Sequence, residues 1–90
     1  MKLKYNFVTN LVAGKTVAVA VGESAEKFGG FIKMNSTAAK IFELLKEDIS
    51  KEGLVLKLKE LYPDETEVTL KDSVDSFLLE LQKAGVLCDD

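Results

Sequence analysis

A chain of 90 residues that is 47% apolar and 30% charged has the composition of one globular domain spanning residues 1–90. It is long enough to bury about 60 to 68% of its unfolded surface without staples, and it is not a disordered tail. The 12 cationic side chains are all lysines set among 15 carboxylates, for a net charge of −3, so the basic footprint and arginine forks of a nucleic-acid reader are missing.

The predicted elements begin with two-residue alternation. In KLKYNF, Leu3, Tyr5 and Phe7 share one parity, the mark of a half-buried strand. Gly14 and Lys15 sit at a turn, and beyond it Val17, Val19 and Val21 alternate with Ala18 and Ala20, so one face is branched and the other nearly smooth. GESAEK reads as a polar connector with a short helical turn. FGGFIKM supplies a third strand, with Gly30, Ile32 and Met34 on one parity and Phe31 and Lys33 on the other. Short connections favour sequential antiparallel pairing.

The rest of the chain follows the helical period. Asn35 or Ser36 caps a first helix whose core stripe is Ala38, Ile41, Phe42, Leu45 and Ile49. Ser50 caps a second, with Glu52 in its first turn and the stripe Leu54, Val55, Leu58, Leu61 and Tyr62, closed by Pro63. Thr66 caps a third, with Leu70, Val74, Phe77, Leu78 and Leu81 inward, Gly85 as a left-handed stop and Val86 folding back. Strands first and helices second predict an α+β, winged-helix-like fold, a three-stranded antiparallel sheet followed by three helices.

Catalytic chemistry is poorly supplied. The chain has no histidine, the commonest general base and metal ligand. A single cysteine, Cys88, excludes a disulfide framework and a multi-cysteine metal site. Asp64, Glu65 and Glu67 fall in and around a surface turn and read as a solvated cluster, not as an acid–base pair. AGKT at Ala13 to Thr16 mimics the end of a phosphate loop but lacks the earlier glycine and runs into a strand, so it reads as a hairpin turn; Gly29 and Gly30 lack the following Lys-Ser/Thr pair. No enzyme activity, cofactor or metal is expected. No apolar run reaches about 18 residues and MKLKYNF lacks a signal-peptide core, which predicts a soluble, cytoplasmic protein without a membrane partner.

The edge of the third strand is the better candidate. In one reading Lys33 guards it and the glycines form a bulge; in the other the glycines admit a foreign backbone and a peptide adds as a further strand. The segments VAVAVGESAEKFGGFIKMNSTAAKIFELLKE, LKELYPDETEV and VDSFLLELQKAGVL carry a resemblance that favours the second. In order and spacing the chain resembles, over nearly its whole length, the PqqD family of coenzyme PQQ (pyrroloquinoline quinone) synthesis proteins, small peptide-binding domains also called recognition elements for ribosomally made, modified peptides (RiPP). It departs from the family in carrying Phe42 where Trp is frequent, and Ser73 before Val74 where Asp is frequent, with Asp72 one place earlier.

The resemblance implies a non-catalytic peptide chaperone. It would bind the leader of a precursor peptide by strand addition and present it to a modifying enzyme, often a radical SAM enzyme. Carried onto this sequence, the strand is Gly30, Phe31, Ile32 and Lys33, and the opposite wall is formed by Lys71, Val74, Asp75, Leu78 and Leu79 of the third helix, with Lys33 and Lys71 attracting an acidic leader. Two other readings share the fold. A winged-helix DNA-binding protein would need a basic helix, whereas Lys71 and Lys83 stand beside Asp72, Asp75 and Glu80. A homodimerisation module would pair the open edge with itself.

Overall fold

The computed structural model describes residues 1–88. Among them are β1 (Lys2–Leu3), β2 (Phe7–Val12), β3 (Lys15–Ala20), α1 (Ser24–Lys27), β4 (Phe31–Met34), α2 (Ser36–Leu44), α3 (Lys51–Leu61), α4 (Glu67–Ala84) and β5 (Leu87–Cys88). The antiparallel sheet runs β2-β3-β4, as expected from the alternating first third.

Its first strand lies further along the chain than the parity of Leu3, Tyr5 and Phe7 suggests. The β2–β3 turn is Ala13 and Gly14, both at positive φ (52° and 80°), the signature of a two-residue type I′ connection whose twist suits the flanking strands. That turn sets the register from Val12 opposite Lys15 to Phe7 opposite Ala20. Residues 2 and 3 instead pair with Cys88 and Leu87 in a separate two-stranded sheet. Between the two pieces, the Lys4 amide donates to the Val86 carbonyl at 2.7 Å and the Asn6 amide to Ser24 Oγ at 3.0 Å. Leu3 and Phe7 are both buried, but in different sheets. Because Ala13 holds a Cβ in left-handed backbone, Ala13→Asn should raise stability by about 0.5 to 1 kcal/mol. The check is a higher urea midpoint at unchanged m value.

The smooth face of β3 is the inner one. Ala18 and Ala20 are buried while Val19 and Val21 are exposed, since small side chains let the helices approach and leave the volume to Phe7, Met34, Ile41 and Phe42. Each long helix starts on a predicted cap: Asn35 Oδ1 accepts from the Ala38 amide (2.8 Å), Ser50 Oγ from Gly53 (3.0 Å) and Thr66 Oγ1 from Thr69 (3.1 Å). Gly85, at φ 74°, ends α4 in the left-handed region, and Val86 turns back to become fully buried.

The core stripes are Ile41, Phe42 and Leu45; Leu54 and Leu58; and Leu70, Val74, Phe77, Leu78 and Leu81. Leu61, expected on the second stripe, is exposed; Tyr62 packs against the core just beyond it. Four rings make a continuous edge-to-face chain through this core, Phe28 to Phe7 (5.8 Å), Phe7 to Phe42 (5.2 Å) and Phe42 to Phe77 (6.4 Å). It runs from the approach to β4, through the sheet, to α4.

Candidate functional site: an open sheet edge facing a helix

β4 is an outer strand. Val19, Ala18, Val17 and Thr16 of β3 face its residues Phe31, Ile32, Lys33 and Met34 on one side, and no strand pairs with its other side among the described residues. Backbone groups that alternate along that rim point away from the sheet. The strand's pleat divides its side chains: Met34 is buried and Ile32 half-buried toward the helices, whereas Phe31 and Lys33 are exposed. Gly30, expected within the strand, lies just before it. A Cβ there would meet only the Phe28 ring, at 3.8 Å, and Gly29 has nothing within 4 Å, so neither glycine is forced by crowding and the space over Gly29 is open.

Beside the end of this strand lies a groove of about 650 Å³, within the usual range for ligand sites. Met34, Ala38, Ile41 and Phe77 give it an apolar floor, and Thr69, Ser73 and Ser76 form a wall of small hydroxyl side chains on α4. Short side chains on that wall leave room for a backbone between helix and strand. Asn35 and Thr37, at the start of α2, close one side.

The α4 residues that line this groove are not those expected from the resemblance. Val74 is fully buried and Leu78 nearly so, both core residues. Leu78 borders a separate depression with Met1, Ser50, Lys51 and Gln82. Asp75 faces α3, where its carboxylate pairs with Lys51 at 2.5 Å; the hydrogen bond and the charge of Asp75 raise the Lys51 pKa above its ordinary value. Lys71 and Leu79 are exposed on α4 but do not line the groove. The groove-lining series 69, 73, 76, 77 and 80 follows the same helical spacing one step around the axis. Its polar character hid it, because a stripe of Thr and Ser reads as solvated helix surface when the facing strand is not known. Phe77 belongs to both faces, which a core assignment alone does not reveal.

The described residues contain no group of three or more His, Cys, Asp or Glu that could hold a metal ion, and no helix long and apolar enough to cross a membrane.

A small mixed α+β domain with a three-stranded antiparallel sheet, whose outer strand β4 faces a helix across a groove, is the class of protein these features define. Within it, the chain belongs to the PqqD family, since the model for coenzyme PQQ synthesis protein D matches residues 11–87. The fold is also that of a solved structure of TbiB1 in complex with the TbiA(beta) leader peptide, which is similar with a TM-score of 0.71 at 18% identity, over 99% of this chain and 100% of that one. No curated protein matches the sequence significantly.

Proposed function

We propose that this protein is a non-catalytic peptide carrier. It holds the leader of a ribosomally made precursor as an added strand on the rim formed by Gly30, Phe31, Ile32 and Lys33, and presents the remainder to a modifying enzyme of the radical SAM or another peptide-modifying type. The observation that carries the reading is the unpaired rim of β4 beside a groove with a buried apolar floor. Membership of the PqqD family supports it, and so does the leader peptide bound to the structurally similar TbiB1. A protein serving ribosomal products before modification works in the cytoplasm.

The energies suffice. Some four added backbone hydrogen bonds at about 0.5 to 1.5 kcal/mol net, with two or three anchors over Met34, Ile41 and Phe77 at about 1.5 to 3 kcal/mol each before ordering costs, reach the ~8 kcal/mol of a micromolar complex. Backbone pairing gives adhesion, and the side chains of α4 and α2 give selection. The same rim could pair with its copy in a homodimer, which the guest strand would then displace; sedimentation with and without peptide reads that competition.

The direct test is a titration of isotopically labelled protein with the leader of a short precursor encoded beside its gene. The amide signals of residues 28–34 and of Thr69, Ser73, Ser76 and Phe77 are expected to shift together. Saturable binding that leaves both sets unmoved would remove the site.

A further inference from the structure

We infer that the groove selects its peptide by a charge pattern locked to the pleat: acidic side chains on the outward-facing positions of the guest strand, and apolar side chains with a cation on the inward-facing ones. The inference rests on the strand-addition reading above and specifies the peptide that reading leaves open.

The charges lining the groove are sorted by wall. Lys15 and Lys33 stand on the sheet side, Asp72 and Glu80 on α4. All four are exposed, and none belongs to an ion pair among the described residues, unlike the neighbouring Lys51 and Asp75. Two cations against two carboxylates leave the groove neutral as a whole but polarised across its width. Net attraction therefore does little, and arrangement decides.

Geometry turns that polarity into a sequence rule. A strand added to β4 alternates as β4 does. Its outward side chains continue the row of Phe31 and Lys33, on the face away from the helices, while its inward ones continue the row of Ile32 and Met34. A guest residue lateral to Lys33 shares its face, where an opposite charge is favourable and a like charge unfavourable. An inward guest residue lies over Met34, Ile41 and Phe77 and extends toward the α4 wall, where Asp72 and Glu80 accept a Lys or Arg. A uniformly acidic leader, which Lys15 and Lys33 alone would attract, meets two carboxylates across the groove.

The apolar inward set keeps the guest from slipping by one residue, since a slip would expose it. Parity and charge are thereby read together.

The test uses three fluorescent peptides of about eight residues with the same apolar alternation. The matched peptide carries Glu outward and Lys inward, the second exchanges Glu and Lys between faces at identical composition, and the third is neutral. The matched peptide is expected to bind roughly 3- to 20-fold more tightly than the exchanged one, with the neutral one between. In the variant that exchanges all four charges (Lys15→Glu, Lys33→Glu, Asp72→Lys and Glu80→Lys), which alters only exposed positions, the order should reverse. Equal affinities, or a preference for the exchanged peptide, together with shifts in residues 31–34, overturn the charge rule and leave strand addition standing. If no peptide moves those signals, strand addition itself falls, and the rule with it.

Discussion

Ser76→Trp is expected to abolish capture of a leader peptide, weakening it by about 100-fold or more, with little change in stability. Ser76 is exposed and lines the groove on α4 between Ser73 and Phe77. An indole there fills the space over Met34 and Ile41 that guest side chains would occupy. Excluding two anchors worth about 1.5 to 3 kcal/mol each removes roughly 3 to 6 kcal/mol, more than two decades of affinity. The fold should tolerate it within about 0.5 kcal/mol, the usual range for a surface position. Lys71→Trp is the control, the same indole on the same helix at a site away from the groove; it should alter affinity no more than a few-fold. Fluorescence titration of both variants, with melting curves alongside, decides. If Lys71→Trp blocks binding and Ser76→Trp does not, the peptide runs along the other stretch of α4.

That pair of variants also probes how far the sequence could be read. The elements were legible because their signals are local: Asn35, Ser50 and Thr66 cap the helices as their side chains allow, and Gly85 stops α4 where only left-handed backbone fits. The α4 core stripe followed from spacing alone, since one apolar face must turn inward whatever it meets. Register was harder. Leu3, Tyr5 and Phe7 share a parity that suits one strand, yet the two-residue turn at Ala13 and Gly14 measures the hairpin from the other end and leaves Leu3 to pair with Leu87. That contact joins opposite ends of the chain, and no local pattern encodes it. The candidate site was half legible for the same reason. The rim of β4 is a property of one strand, visible in its alternation. The groove wall is a relation between α4 and β4, and its Thr and Ser side chains carry no pattern until the strand lies opposite them.

The relation between those two walls is maintained from within, and Phe42→Ala should disturb it most. Phe42 is fully buried, in edge-to-face contact with Phe7 at 5.2 Å and with Phe77 at 6.4 Å. Truncation leaves a cavity that neighbours fill only in part, at a cost of about 3 to 5 kcal/mol, against a total of about 5 to 13 kcal/mol for a domain of this length. The urea midpoint should fall by about a quarter or more, and a protein at the low end of that range would unfold at 37 °C. A second effect follows from position. Phe77 floors the groove, and Phe7 touches Phe28 ahead of β4, so the ring at Phe42 spaces α4 from the sheet. Phe42→Ala is therefore expected to weaken peptide binding even at temperatures where the variant remains folded, although residue 42 does not line the groove. Phe42→Leu, which keeps most of the volume, should cost less on both measures. Unchanged affinity in folded Phe42→Ala would mean that the groove keeps its width without the aromatic chain.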